Sequence, residues 1–267
     1  MEHLLKFFYS EFLKTLKSPK RILGILDNRL PAYLSRLYNR LRVYFYDLKV
    51  ESRFLGRNSG ASWVTHGTDQ AFKKRIYNTY ENYILHQRAK LGRIAPSDME
   101  TYDRKYRKIL LERLEKLNLF KEGMAVLCLA ARVGTEVKAF LDIGCFAVGI
   151  DLNPGENNKY VLYGDFHDIQ FPAGSMDVVF TNSLDHCLDV ERLISEIKRV
   201  LKPKGFLIIE AMGGSSEGQA PALYESFWWS KIDDIVSLFE NSQFKLAKRS
   251  SCHYPWYGEQ LLFTREE

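Results

Sequence analysis

The feature that most limits the fold of this 267-residue chain begins at Met124, where short apolar segments start to alternate with amphipathic ones. Residues 125–129 form a continuous apolar run, as expected of a strand buried on both faces. A glycine-containing turn and a helical segment over 135–143 follow. Short runs rich in apolar or β-branched residues recur at 147–151, 160–163, 176–181 and 206–210. Between the last two, Val190, Leu193, Ile194, Ile197, Val200 and Leu201 keep helical spacing until Lys202-Pro203-Lys204-Gly205 breaks it. A helix over 231–240 and two pairing strands over 244–252 and 260–265 complete the pattern. Strands alternating with helices imply a parallel sheet, here closed by an antiparallel C-terminal hairpin. The fold class is α/β. The link from Asp151 to the strand at 160 is too short for a full helix, so one crossover should be a loop.

Upstream the chain changes character. Residues 1–120 carry 24 Lys and Arg against 12 Asp and Glu, whereas residues 121–267 carry 14 against 21. That split predicts a basic helical N-terminal region, 1–120, and a separate domain, 121–267. Four helices are expected in the basic region. Leu5, Phe8, Phe12 and Leu16 form one stripe, and Leu30, Leu34, Leu37, Leu41 and Tyr44 follow Pro31 as a second. A third face runs over 71–92 through Phe72, Ile76, Tyr80, Tyr83, Ile84 and Leu91. Ser97 with Glu100 reads as a capping box before the fourth. Residues 56–67, rich in Gly, Ser and Asn, read as a loop or hinge.

A basic amphipathic start has three readings: solvated lid helices, docking of residues 1–50 on an anionic membrane surface or acidic partner, or nucleic-acid binding. No zinc-finger, KH or RNP-type motif supports the last. No apolar run approaches the ~18–20 residues of a membrane span, and MEHLLKFFYSEFLK is too charged for a signal-peptide core. The four cysteines (128, 145, 187, 252) show neither Cys-x-x-Cys nor zinc spacing, which predicts buried reduced thiols, no bound metal and a cytoplasmic protein, with the membrane periphery as the variant.

In a parallel sheet, ligands bind beyond the carboxyl ends of the strands. After the first strand come Ala130, Ala131, Arg132, Val133 and Gly134, small residues ahead of a helix N-terminus whose amides favour anionic groups. Asp151 ends the second strand, where a carboxylate suits a ribose diol. Asp165 and Phe166 follow the third strand, where a carboxylate suits an exocyclic amine and a ring can flank a purine. Asn182, Ser183, Leu184, Asp185 and His186 follow the fourth. Two carboxylates and an aromatic at adjacent strand ends describe an adenosine site. The plainer alternatives are turn caps for the aspartates, core packing for Phe166, a turn requirement for Gly134 and a loop hydrogen bond for Asn182.

These segments resemble the class I, Rossmann-like S-adenosylmethionine-dependent methyltransferases over about residues 121–267, within a methyltransferase-like subgroup that fixes no substrate. VLCLAARVGTEV stands at the glycine-rich motif, AVGIDLNPG at the acidic end of strand two, GDFHDIQFPAGSMDVVFTNSLDH at the adenine-contact and strand-four segment, and RVLKPKGFLIIE before strand five. The resemblance implies S-adenosylmethionine as cofactor. Asp151 with Leu152 would hold its ribose, and Asp165 with Phe166 its adenine. Ala130, Ala131, Arg132 and Gly134 would line its methionine part, with Asn182, Ser183 and Leu184 on the other side. The chain departs from the motif at Cys128, where the family has an acid, and at Ala130 and Arg132, where it has glycines. A positive φ at Ala130 would cost roughly 1–2 kcal/mol, expected to weaken the cofactor about tenfold. Arg132 would pair with the methionine carboxylate or fill the pocket.

The expected reaction is methyl transfer to an oxygen of a small molecule or glycan, with His186 beside Asp185 as general base. His167, His253 and Tyr254 are secondary candidates. Tyr83, His86, Gln87 and Lys90 would form a lid face. Trp228, Trp229, Trp256 and Tyr257 line an acceptor pocket or pack in the core. The alternative function is an inactive methyltransferase-fold module that binds through its basic helices. A nicotinamide oxidoreductase is the third reading, placed last because no Gly-x-Gly-x-x-Gly follows a predicted strand.

Overall fold

The computed structural model describes residues 32–54, 63–66, 71–94 and 96–266. The chain divides into two units between Lys49 and Val50. The described part of the first is helical, within α1 (Ala32–Phe54), on which Leu41, Tyr44, Phe45 and Leu48 are exposed. The stripe expected at Leu5, Phe8, Phe12 and Leu16 lies outside the described residues, as do Leu30 and Pro31. No described helix is long and apolar enough to cross a membrane.

The second unit is built on a seven-stranded sheet. Its strands are β3 (Ala125–Leu129), β4 (Phe146–Asp151), β5 (Val161–Tyr163), β6 (Met176–Thr181), β7 (Leu201–Met212), β9 (Phe244–Cys252) and β10 (Gly258–Arg265), in the order β5-β4-β3-β6-β7-β10-β9. The first five are parallel, and β10 pairs antiparallel to both β7 and β9. The expected mostly parallel sheet and closing hairpin are both present. A smaller antiparallel sheet joins β1 (Trp63–His66), β2 (Phe72–Arg75) and β8 (Phe227–Trp229).

Because side chains alternate along a strand, the sheet buries two faces. Leu127, Leu129, Val179, Leu207, Ile209, Leu261 and Phe263 point to one face and pack with residues of α5 (Val190–Val200) and α6 (Ile232–Glu240). Val126, Cys128, Val178, Phe180, Ile208 and Leu262 point to the other and pack with α3 (Pro96–Glu115) and α4 (Thr135–Asp142). All four cysteines are free and buried. Tyr106, Leu110 and Leu114 of α3 are fully buried in that second layer, so α3 belongs to the sheet's own unit. The charge division at residue 120 therefore does not coincide with the compact units, which part between Lys49 and Val50.

Other expectations need local correction. The helix expected over 71–92 is strand β2 followed by α2 (Tyr80–Arg93). Thr79 sets the break: its extended backbone starts the helix, and its hydroxyl accepts from the Asn82 amide at 3.1 Å. Helix α3 starts at Pro96, which has no amide to leave unpaired; the side chain of Ser97 lies outside the described ones. Strand β1 lies inside the stretch read as a loop. The breaker Lys202-Pro203-Lys204-Gly205 does not precede β7 but is absorbed into it. Met176 pairs with Leu201 and Val178 with Phe206, so the intervening residues bulge, with Lys204 at φ +62°. Between β4 and β5 the chain is a loop, as its length requires.

Candidate functional site

The carboxyl ends of β3, β4, β5 and β6 meet at two cavities that share Lys90, Ala130, Arg132, Ser183 and His186 in their walls. The smaller, about 50 Å³, is completed by Asp151, Leu152, Gly164, Phe166, Leu91 and Tyr83 among others. The larger, about 200 Å³, adds Glu136, Asn182, Asp185, Glu225, Trp229 and Trp256.

The loop after β3 is held in an unusual conformation. Ala130 and Arg132 sit at φ +52° and +47°, in the left-handed region that favours glycine. The Ala131 amide donates to Ile150 O at 3.0 Å, and the Arg132 amide donates to Asp151 Oδ2 at 2.8 Å. Asp151 Oδ1 accepts from the Asn153 amide at 2.6 Å. Each oxygen keeps a second lone pair, and Asp151 lines the smaller cavity, so the carboxylate has the two acceptor sites that a ribose diol would need. Gly149 keeps this loop close to β4: a Cβ there would stand 2.7 Å from Ala131 Cβ.

Asp165 behaves differently. Its Oδ2 accepts from the Tyr80 hydroxyl at 2.5 Å, and its Oδ1 accepts from the amide and Nδ1 of His167, both at 2.9 Å. Burial works to raise its pKa, but these hydrogen bonds hold the carboxyl below its ordinary value. It lines neither cavity; the wall at the end of β5 is Gly164 and Phe166. His167 Nε2 accepts the Leu188 and Asp189 amides, each at 3.2 Å, which makes this buried ring a structural brace. Asp165, expected to face an adenine, thus stands next to the cavity wall with its oxygens bound to Tyr80 and His167, whereas Phe166 is at once a core residue and a cavity wall.

Two further picks fall outside the cavities. Gly134 caps α4 at φ +83° and is packed against Tyr160, where a Cβ would lie 2.7 Å from Tyr160 Cβ. Leu184 is buried in the core layer below β6. Asn182 and Ser183 do line the larger cavity. Asn182 Nδ2 donates to Glu136 Oε1 at 2.8 Å and to the Tyr106 hydroxyl at 3.0 Å. Glu136, in the first turn of α4, was not singled out in the sequence. Burial pushes its carboxyl up to about 7, against the bond from Asn182. An acid one residue into a helix reads as a partner for the helix dipole, which hides its place in a pocket wall.

His186 lies in a short 3-10 turn after β6. Its Nδ1 faces Tyr224 O at 2.9 Å and must donate there, so Nε2 is the acceptor and meets the Lys90 ammonium. Burial, then Lys90, brings its pKa down to about 3. So weak a base does not suit the role expected of it. Asp185 Oδ2 stands 3.6 Å from His186 Nε2, and burial raises its pKa despite Lys90. Burial, then Arg132, lowers Lys90 to about 8, opposed by Asp185 and Glu225. Asp185, His186 and Glu225 bring ligand-type atoms within 4.8 Å of one another, and the Lys90 ammonium supplies a positive charge against Nε2.

Helix α2 is bound to this wall through its expected lid face. Tyr83 donates to His186 O at 3.1 Å, and Gln87 donates to Tyr224 O at 2.8 Å and to Ser226 Oγ at 2.9 Å. His86 Nδ1 meets the Tyr77 hydroxyl at 2.8 Å. Among the tryptophans, Trp229 and Trp256 line the larger cavity. Trp228 is buried with its Nε1 on Ser215 Oγ, and Tyr257 is exposed. His253 is exposed and packs on Tyr257, while Tyr254 lies under the Lys105 ammonium; neither lines the cavities.

Residues 127–209 match the family model described as a methyltransferase domain. The chain is 26% identical over 159 residues to a malonyl-[acyl-carrier protein] O-methyltransferase of Methylovorus sp. (strain MP688), which covers 51% of this chain and 53% of that protein. The chain thus spans about half the length of this curated relative. Among solved structures, an S-adenosylmethionine-dependent methyltransferase from Aquifex aeolicus superposes with a TM-score of 0.50 at 21% identity, over 64% of this chain and 98% of that one. The 1,6-didemethyltoxoflavin-N1-methyltransferase of Burkholderia thailandensis, with 1,6-didemethyltoxoflavin and S-adenosylhomocysteine bound, gives a TM-score of 0.54 at 16% identity, over 76% of this chain and 99% of that one.

Proposed function

We propose that this chain, a class I, Rossmann-like S-adenosylmethionine-dependent methyltransferase by its domain match and its fold, transfers a methyl group to an oxygen of a small molecule or glycan. The observation that carries the reading is Asp151, fixed by two backbone amides at the wall of a strand-end cavity with lone pairs to spare. The loop beside it already has positive φ at Ala130 and Arg132. The altered motif thus keeps the backbone shape that glycines would provide, which removes the ground for the inactive-module alternative.

When bound, the sulfonium supplies an activated methyl group that is transferred by in-line displacement. Asp151, Leu152, Gly164 and Phe166 hold the nucleoside end, and Ala130, Ala131 and Arg132 border the methionine end, with Asn182 and Ser183 opposite. Holding both reactants in line can supply up to ~7–11 kcal/mol of the barrier. In the larger cavity, Lys90 rather than His186 is the residue suited to take the proton from an acceptor hydroxyl, because its pKa is brought near working pH. His186, fixed by Tyr224 O, positions the Lys90 amine, and Asp185 tunes its charge.

Calorimetric titration with S-adenosylhomocysteine tests the cofactor. Binding that is lost in Asp151→Ala is expected, and no heat at millimolar ligand would reject the reading. Docking of residues 1–50 on an anionic surface is a proposal resting on charge alone, tested by co-sedimentation with phosphatidylserine vesicles at rising salt.

A further inference from the structure

The larger cavity is short of positive charge. Glu136, Asp185 and Glu225 line it against Lys90 and Arg132, while Glu210, also in its wall, is held by Arg113 at 3.1 Å. Buried carboxylates are ordinarily paired. Among the described residues, no lysine or arginine forms an ion pair with any of these three. Asp185 meets only His186, at 3.6 Å, and burial leaves that ring uncharged. The Lys90 ammonium rests on His186 Nε2 rather than on a carboxylate. Glu136 and Asp185 are 6% and 8% exposed and both line the cavity, so two nearly buried acids stand there without a counter-charge.

A second observation comes from the rings. Tyr102 and Trp256, both half-buried, line the same cavity. After burial itself, Glu136 is the group that most raises the Tyr102 phenol, which puts the carboxylate beside that ring. The face of an aromatic ring carries partial negative charge, so rings next to a carboxylate attract a cation without asking it to donate a hydrogen bond. Asn182 adds to the same wall. Its Nδ2 is spent on Glu136 and the Tyr106 hydroxyl, and Ser183 Oγ donates to its Oδ1 at 3.1 Å, so the amide has only an acceptor lone pair left to offer. Both rings lie outside residues 127–209, the stretch shared with the methyltransferase family.

We propose that the larger cavity selects an acceptor with a cationic nitrogen, protonated or quaternary, held by the Glu136 carboxylate and the rings of Tyr102 and Trp256. The acceptor is then an amino alcohol or amino sugar. Its hydroxyl oxygen bonds to the transferred methyl carbon, the carbon–sulfur bond breaks with its electron pair left on sulfur, and the hydroxyl proton passes to the neutral Lys90 amine. One positive charge on the ligand balances the three carboxylates against the two cations of the wall. This deepens the methyltransferase reading and rests on it for the role of acceptor, but not for the binding of the cation.

The test is an NMR titration of the full chain, saturated with S-adenosylhomocysteine, with three charged alcohols and their uncharged counterparts: choline and dimethylbutanol, glucosamine and glucose, ethanolamine and ethylene glycol. At least one charged member should bind, about tenfold or more tighter than its counterpart. Glu136→Gln, which keeps an oxygen for Asn182, should weaken that binding by about tenfold or more and leave the S-adenosylhomocysteine Kd within about twofold of wild type. Trp256→Leu should weaken it about fivefold. The proposal is overturned if no charged alcohol binds, if an uncharged counterpart binds as tightly, or if Glu136→Gln or a folded Trp256→Leu binds the amine as wild type does. It is overturned too if S-adenosylhomocysteine and the amine exclude each other, or if Glu136→Gln weakens both alike, because Glu136 would then serve the cofactor's own ammonium. Failure of S-adenosylhomocysteine to bind at all would strike the cofactor reading instead, and the same comparison on the free chain would still decide the cation site.

Discussion

The two ends of the proposed site are built on opposite principles. At the nucleoside end the polar groups are anchored: both Asp151 oxygens accept backbone amides, and the loop after β3 is hydrogen-bonded to β4. At the acceptor end they are left in tension. Glu225 and Trp256 have unpartnered atoms, Glu136 is pushed up to about 7 and Lys90 down to about 8. Anchored groups preorganise a binding surface, whereas groups held away from their ordinary pKa are suited to moving protons. The contrast supports the proposed division, with binding at one end and chemistry at the other.

The largest effect expected from breaking this contrast is at Lys90. Lys90→Met should lower turnover about 100-fold with little change in cofactor affinity, measured as labelled methyl transfer from S-adenosylmethionine to a panel of hydroxylated small molecules. Its neutral form is the base, so wild-type kcat should rise with pH through about 8. Lys90→Arg keeps the charge, cannot become neutral and should stay inactive. Recovery of activity in the arginine variant would mean that charge, not proton transfer, is what the site needs.

Next in size is the pH response of Glu136. Its folded pKa, about 7, lies above the ordinary carboxyl value of 4.5, so the folded chain binds the proton more tightly than the unfolded chain. Stability should therefore fall as pH rises from 4.5 to 7, by up to about 3 kcal/mol. Denaturant melts of wild type and Glu136→Gln across that range should converge at low pH and diverge above it. Parallel curves would place the ionised carboxylate in a well-solvated setting.

The smallest effect concerns Ala130. From sequence, its positive φ is expected to weaken the cofactor about tenfold. In the structure the loop already holds φ +52°, so the strain is borne by the fold before any ligand arrives. Ala130→Gly should thus raise stability by about 1 kcal/mol and leave affinity within twofold. A tenfold gain in affinity at unchanged stability would show that the loop rearranges on binding.

The same comparison explains what could be read from the chain. The α/β class, the strand ends and the place of Asp151 at one of them were legible because a continuous apolar strand followed by a carboxylate is a local pattern. Asp165 carried the same local pattern, but its partners did not show in it: Tyr80, 85 residues away, and His167 bind its oxygens. His186 was chosen for its ordinary pKa, and burial beside Lys90 removes that property. Glu225 gave no local signal, and Trp256 was one of four aromatics divided between an acceptor pocket and the core; only the folded chain places both at one cavity wall. The breaker at Pro203 signalled a helix end correctly but not the bulge that carries β7 back to Leu201.

The anchored end is tested most directly by comparing Asp151→Ala with Asp165→Ala in S-adenosylhomocysteine calorimetry. Loss of two hydroxyl bonds to a charged acceptor should weaken binding at least about 100-fold in the first variant. The second should lower the melting temperature and leave the Kd of its folded fraction within a few-fold of wild type. Equal affinity of Asp151→Ala and wild type, or a greater loss in Asp165→Ala, would contradict the assignment of the nucleoside end.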